Sequence, residues 1–330
     1  MSDLKPITII GGGLAGLTLG IGLRQRGVPV TIWEAAGYPR HRVCGEFISG
    51  NGQAALERLG LKKQFEQAGA IYARTALFIC GKNRSPVRQL SSSALCLSRH
   101  AMDALLAEQF QKLGGELHTN QRWLRKENAE GIVFATGRRL QSAEKNPRWF
   151  GVKAHLPRET SVKLEADLEM HLAPDGYVGV NRIGHGEVNV CGLFRLREGK
   201  PRPASKLDWL RGENGSSLRA RVGAAEFDPD SFCSVAGLQL CPQRAAERDE
   251  CCIGDTLTMT PPVTGNGMSM SFESAEMAIE PLAGYSEGRL NWTAARRLQW
   301  LIMSPAMQGW TGAVLLKSDR LWQLMFTRTR

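Results

Sequence analysis

The sequence has no CxxC pair, and its six histidines are scattered along 330 residues, so neither a zinc cage nor an iron–sulfur site is spelled out. It shows no secretory leader: Met-Ser-Asp-Leu-Lys-Pro runs straight into Ile7-Thr8-Ile9-Ile10 without a cleavage pattern. Its eight cysteines are therefore expected as reduced thiols in the cytoplasm. Long apolar runs are lacking too. The uncharged stretch from Ile7 to Leu23 is 17 residues long and holds six glycines, a poor match to a spanning helix of about 20 apolar residues. There is no internal repeat and no low-complexity segment. The basic residues are dispersed without a DNA- or RNA-reading motif, so no nucleic-acid partner is expected. Acidic residues are in deficit: 32 Asp and Glu against 42 Lys and Arg leave a formal charge of +10, which favours anionic partners.

What remains is an ordinary globular composition, 42% hydrophobic and 22% charged, long enough for two domains at about 150 residues each. The 36 glycines are the informative excess, because glycine sits where backbone turns sharply or approaches a ligand. Ile7 to Ile10 reads as a buried strand, followed by Gly11-Gly12-Gly13-Leu14-Ala15-Gly16, a helix to Arg26, and a second strand from Val28 to Trp33 that ends at Glu34. This is a βαβ unit carrying GxGxxG in the right context. Gly11 permits the tight turn, Gly13 the approach of a pyrophosphate, and Gly16 close helix–strand packing, while the helix N-terminus offers N–H groups to the phosphates. An acid at Glu34 suits ribose hydroxyls and disfavours a 2′-phosphate, leaving FAD or NAD. Residues 51–69 and 97–113 read as helices, Gly131 to Gly137 as a short buried strand, and 149–194 as an antiparallel or mixed sheet. A loop from Gly254 leads into a helix near Gly267, and the last 40 residues look helical.

Three further segments separate FAD from NAD: Arg42-Val43-Cys44-Gly45-Glu46-Phe47-Ile48-Ser49; Leu97-Ser98-Arg99-His100-Ala101-Met102-Asp103; and Ile253-Gly254-Asp255 running through Pro261-Pro262-Val263-Thr264-Gly265-Asn266-Gly267-Met268. In this order they resemble the FAD-dependent superfamily of p-hydroxybenzoate hydroxylase-like monooxygenases, flavin halogenases and geranylgeranyl reductases. The Cys-Gly-Glu element and the Pro-Pro-Val-Thr-Gly-Asn-Gly-Met loop are most similar to the geranylgeranyl reductase-like branch. The resemblance implies an α/β fold: a Rossmann-like FAD-binding domain of the three-layer GR2 type, interrupted by a reduced substrate-binding β-sheet domain, with C-terminal helices. The expected division is 1–70, 97–148 and 246–288 for the cofactor domain, 71–96 and 149–245 for the substrate sheet, and 289–330 for the C-terminal helical segment.

The resemblance also implies roles. Gly11, Gly13, Leu14, Ala15, Gly16 and Glu34 would hold the dinucleotide; Arg42 would lie near its phosphates or be a solvated surface charge; Arg99 would contact the cofactor. Asp255 would meet ribityl or ribose hydroxyls, or else cap a turn. Gly265, Asn266, Gly267 and Met268 would place a helix N-terminus beside the flavin edge where charge gathers on reduction. Cys44 and Gly45 would lie at the flavin, Cys44 as the catalytic candidate; its thiol either donates a proton or tunes the flavin, marked by a low pKa, or is a small packing residue. Glu46 is read as orienting its loop in preference to proton transfer.

The departures narrow the activity. No Trp-x-Trp-x-Ile-Pro halogenase segment is present, Thr258 stands where many hydroxylases carry His, and Tyr177 to Arg182 keeps only part of an aromatic substrate lining. The expected function is a monooxygenase hydroxylating an aromatic or apolar small molecule through a flavin hydroperoxide. NAD(P)H would be a transient donor, since no second GxGxxG appears. A reductase of C=C bonds in isoprenoids is the alternative within the class, and a membrane-docked electron-transfer flavoprotein the alternative outside it. The latter rests on the tail from Trp310 to Arg330, whose apolar and basic residues suit either packing on the substrate domain or a peripheral membrane contact. The oligomeric state is not legible.

Overall fold

Ile7, Ile9 and Ile10 are buried on both faces of the first strand, as their β-branched side chains favour. The computed structural model describes residues 4–124, 129–138, 149–196, 205–238, 250–259 and 265–311. In chain order the elements begin with β1 (Ile7–Ile10), α1 (Leu14–Arg24), β2 (Val30–Trp33), β3 (Phe47–Ile48), α2 (Asn51–Arg58) and α3 (Lys62–Gln67). They continue with β4 (Ile71–Cys80), β5 (Asn83–Arg84), β6 (Arg88–Cys96), α4 (Arg99–Lys112), β7 (Glu116–His118) and β8 (Ile132–Phe134). Next come β9 (Trp149–Leu156), β10 (Leu168–Ala173), β11 (Gly176–Arg182), β12 (Val188–Arg195), α5 (Asp208–Arg211), α6 (Ser217–Val222) and β13 (Asp228–Leu238). β14 (Cys251–Cys252), α7 (Gly267–Ser286) and α8 (Trp292–Thr311) complete the set.

The first sheet is wholly parallel, in the order β14-β8-β1-β2-β7, with Ile9 in register with Ile32 on one side and Val133 on the other. α1 is buried from Leu14 to Leu23, because the sheet, α4 and α7 pack around it. The expected helix over 51–69 is two helices: Gly60 takes φ +69°, which ends the first after Leu59 and lets Leu61 start the second.

The second sheet runs β13-β9-β12-β11-β10-β4-β6-β3, with β5 paired to β4. All its pairs are antiparallel except β10 with β4, where Met170 lies beside Phe78. Alternation divides β9: Val152, Ala154 and Leu156 join Val178, Val180, Val188 and Val190 in a core closed by Leu210 of α5 and Leu218 and Val222 of α6. Gly151, Lys153 and His155 therefore point the other way, toward the cofactor half. The seven cysteines among the described residues are free thiols. No helix among the described residues is long and apolar enough to cross a membrane, and the tail from 312 to 330 lies outside them.

Candidate active site

The glycine loop shows which of its members make room for a ligand. A Cβ on Gly11, at φ +109°, would stand 2.3 Å from the Ala135 carbonyl oxygen, and one on Gly16 would stand 1.9 Å from the Gly11 carbonyl oxygen. Those two glycines serve packing of strand, loop and helix. A Cβ on Gly13 would meet nothing within 4 Å. Gly13 is also the N-cap of α1 and offers no side-chain cap, so the first-turn N–H groups face that open space unmatched by the helix. An open cradle over free N–H groups fits a dinucleotide pyrophosphate.

Glu34 borders the cradle. Its carboxylate accepts hydrogen bonds from Gly12 N–H at 2.8 Å and Ala36 N–H at 3.0 Å and pairs with Arg40 at 3.0 Å, so a ribose hydroxyl would share it with the loop. Tyr38 closes the same corner by donating its hydroxyl to the Gly12 carbonyl. The Nε atoms of Arg40 and Arg42 are buried and make no hydrogen bond with the described residues, a donor surplus that suits phosphate. Arg99 does not reach out alone: its guanidinium grips Asp103, one turn along α4, through two bonds of 2.9 Å. Arg42 shares that fully buried carboxylate at 3.4 Å, so two guanidinium groups face one acid and one unit of positive charge remains for an anion.

Asp255 lies in the turn after β14, with Arg99 and Arg138 nearby. Burial pushes its carboxyl up to about 6, against the partial offset of those two cations. A desolvated acid of this kind gains from hydroxyl donors such as a ribityl chain. Gly265, Asn266, Gly267 and Met268 form the entry to α7, whose N-cap Asn266 makes no side-chain cap; Ser49 Oγ instead donates to Asn266 Oδ1 at 3.3 Å. Gly265 takes φ +67° against the Phe47 ring, and a Cβ there would stand 2.6 Å from that ring. The loops at 44–49 and 265–268 thus meet.

The loop from Arg42 to Glu46 is pinned to the sheet. Asn189 of β12 donates its amide to the carbonyls of Cys44 at 3.2 Å and Gly45 at 3.0 Å. Burial pushes the Cys44 thiol up, partly offset by Arg99, so the low pKa that would mark a thiolate is not found. Glu46, at φ +58°, is held in a left-handed conformation that a side chain rarely adopts. Its buried carboxylate accepts from Arg99 N–H at 2.8 Å and from Lys153 Nζ at 2.8 Å, and lies 2.7 Å from His155 Nε2. Burial alone would raise the Glu46 carboxyl; the His155 hydrogen bond and the Lys153 charge outweigh it and hold it below the usual range.

His41, Glu46 and His155 stand close enough to share a metal ion. Lys153 Nζ already fills that role, 2.8 Å from Glu46 and 3.1 Å from His41 Nδ1, and a second cation there would meet its charge at close range. Burial first, and Lys153 next, push His41 down to about 4, so its ring is neutral at pH 7.

Beside this cluster the sheet is open. Gly179 of β11 pairs with Cys191 of β12, and a Cβ on it would meet nothing nearer than the Cys191 carbonyl oxygen at 3.8 Å. Tyr177, two residues away on the same face, and Cys191 both feel the charge of Cys44. The bare patch therefore looks onto the Cys44 loop, between Met170 on one side and Cys191 on the other.

Lys153, His155, His41, Asn189 and the bare position at Gly179 were not among the residues singled out from sequence. A signal existed: Lys153 and His155 alternate with Val152, Ala154 and Leu156 on a strand that turns out to be buried on both faces.

Residues 5–146 match the family described as FAD binding domain. A stretch of 108 residues is 32% identical to Monooxygenase 1 of Arabidopsis thaliana, covering 32% of this chain and 27% of that protein. Menaquinone reductase of Mycobacterium tuberculosis is 23% identical over 98% of this chain and 90% of its own length. Among solved structures, Pseudomonas aeruginosa PqsL in complex with 2-aminobenzoylacetate superposes with a TM-score of 0.74 at 17% identity, covering 98% of this chain and 99% of that one. Flavin-dependent brominase Bmp2 gives 0.70 at 19% identity, over 89% and 83%. At these identities the solved structures show a shared fold.

Proposed function

We propose that this FAD-dependent oxidoreductase, a member of the p-hydroxybenzoate hydroxylase-like flavoprotein superfamily, is a monooxygenase that hydroxylates an aromatic or apolar small molecule lying on the second sheet. The observation that carries the reading is the bare backbone at Gly179, framed by Met170, Tyr177 and Cys191 and facing the Cys44 loop. A flat apolar molecule covers such a patch without leaving a buried polar group unpaired. Bound FAD supplies electron transfer and oxygen activation. The chain's part is to hold and exclude water. The open cradle at Gly13 and the α1 N-terminus receive the pyrophosphate, Glu34 the ribose and Asp255 the ribityl hydroxyls; the Gly265–Met268 entry to α7 lies at the flavin edge. With its thiol raised by burial, Cys44 is a neutral group, a packing residue or weak proton donor and not a nucleophile. NAD(P)H is the proposed electron donor, docking transiently on the basic surface of a chain with formal charge +10.

A second reading has one specific support: the similarity to a menaquinone reductase extends over 98% of the chain. In that case the same patch holds an isoprenoid chain whose C=C bond is reduced. One experiment separates the two. The purified protein, checked for the visible spectrum of bound FAD, is mixed with NADH or NADPH and a panel of aromatic and prenylated compounds, with and without oxygen. Substrate-stimulated oxygen uptake with a hydroxylated product supports the monooxygenase; equal turnover without oxygen overturns it in favour of the reductase. A colourless protein that takes up no FAD overturns both.

A further inference from the structure

Glu187 stands in the turn that leads into β12, its side chain 39% exposed, and its Oε2 lies 3.1 Å from His155 Nδ1. On the far side of the ring, His155 Nε2 is 2.7 Å from Glu46 Oε2, and Glu46 Oε1 is 2.8 Å from Lys153 Nζ. Lys153 in turn reaches His41 Nδ1 at 3.1 Å. We infer that Glu187, His155 and Glu46 form a proton wire from solvent to the buried Cys44–Glu46 loop, with Lys153 and His41 as its inner end.

Four observations carry this. Every link is within hydrogen-bond distance, and exposure falls from 39% at Glu187 to 3% at His155 and to zero at Glu46 and Lys153, so the chain crosses from water to core without a gap. Second, both ring nitrogens of His155 face carboxylates. A bridge serving stability alone needs one acid for one base; the second, solvent-side carboxylate gives the ring a partner from which to exchange protons. Third, the ring is fixed in position, because His155 N–H donates to Ser231 Oγ at 2.7 Å and His41 packs edge-on against it at 5.1 Å. Fourth, the inner end is prepared to accept. His41 is neutral, and since Lys153 donates to its Nδ1, its own proton sits on Nε2, on a ring stacked 4.7 Å from His100. The remaining charged or titratable neighbours of the path are Arg42, Arg99 and Asp103 from the loop and α4, Cys44, Cys191 and Cys233 around Lys153, and His185 beside Glu187.

The step balances without a co-reactant. His155 releases the Nε2 proton to Glu46 Oε2 and regains one from the Glu187 side, so its charge is the same at the start and end of the cycle, and one proton has moved inward. Burial opposes the imidazolium, but hydrogen bonds to Glu187 and Glu46 outweigh that and raise His155 above its ordinary value, while Glu187 and Glu46 are held low. The resting wire is thus a loaded imidazolium between two carboxylates. Its use in catalysis rests on the oxidoreductase reading above, in which chemistry at the Cys44 loop takes up protons.

The test compares full-length wild type, Glu187→Gln and Glu187→Asp, each with ¹⁵N-labelled histidine. Long-range NMR reads the charge of His155 and the exchange of its ring protons with water at pH 7. Stopped-flow mixing with a pH-indicator dye reads proton uptake as dithionite reduces bound FAD. Wild type should show both His155 nitrogens protonated; Glu187→Gln should slow ring-proton exchange and proton uptake by about tenfold or more, and Glu187→Asp should restore most of both. A neutral His155 in wild type, or equal exchange and uptake in wild type and Glu187→Gln, overturns the wire. Failure to bind FAD overturns the functional reading instead, and the exchange measurement on the same protein still decides the wire.

Discussion

Glu46 and Lys153 form an ion pair 2.8 Å long with neither side chain reaching solvent, although 107 residues separate them. One belongs to the loop behind the cofactor half and the other to the middle of β9, so their contact joins the two sheets. Breaking a buried pair from one side leaves an uncompensated charge. Glu46→Gln or Lys153→Met alone should each destabilise the protein by about 3–5 kcal/mol, and the double variant by clearly less than the sum. Urea unfolding of the four proteins completes the cycle; strict additivity would show that the pair is not coupled.

The glycine loop allows a contrast between ligand space and packing. Gly13→Glu adds its side chain to open space and places a carboxylate where the phosphates belong. It should leave apoprotein stability within about 0.5 kcal/mol and weaken FAD binding by about 100-fold. Gly16→Ala forces a methyl against the Gly11 carbonyl and should cost roughly 1–3 kcal/mol of stability. Flavin fluorescence titration and thermal melts read the two effects separately.

Asp255 gives a pH signature. Its folded-state carboxyl is raised from 3.8 to about 6, so the folded protein holds this proton over a range where the unfolded chain has released it. Stability is therefore lost as pH rises through that window, and the penalty is complete above pH 6. Asp255→Asn should raise the apoprotein melting temperature by roughly 2–6 °C at pH 8 and leave it unchanged at pH 4, while FAD retention falls. A variant with no pH-dependent gain would show that Asp255 is not desolvated.

At Gly179 the sheet has room for a side chain, and Gly179→Leu fills it. The substitution should leave the FAD spectrum and melting temperature unchanged and raise KM for the best substrate by about tenfold or more, a loss comparable to displacing one or two buried methylenes. An unchanged KM would move the substrate elsewhere.

Cys44 should be a slow nucleophile. With the thiol raised by burial, its alkylation by iodoacetamide at pH 7.5 should run about tenfold or more below that of free cysteine. Peptide mapping by mass spectrometry measures this site by site.

The glycine fingerprint, Glu34, and the α1 and α4 helices were legible because each is encoded within a short stretch of chain, by periodicity and glycine spacing. The Glu46 cluster was not. Its members come from 41, 46, 153, 155 and 187, and only the pairing of β9 with β12 and β13, together with the docking of the 42–46 loop, brings them together. The role of Gly179 was equally hidden, since a glycine inside a strand pattern signals a bulge or a ligand without choosing between them. The break of residues 51–69 into two helices was signalled by Gly60, which the apolar spacing of Leu56, Leu59 and Phe65 overshadowed.

β14 supplies the edge strand of the parallel sheet from residues 251 and 252, after every strand of the second sheet has passed. During synthesis the glycine loop emerges early, yet the sheet behind it gains its last strand, and the turn bearing Asp255, only when three quarters of the chain has been made. The parallel pairing of β4 with β10 delays the other sheet in the same way, because residues 71–80 must wait for 168–173. Cofactor capture is thereby a late event, and the nascent βαβ unit passes through a long interval with apolar surface uncovered, a stage at which chaperones act.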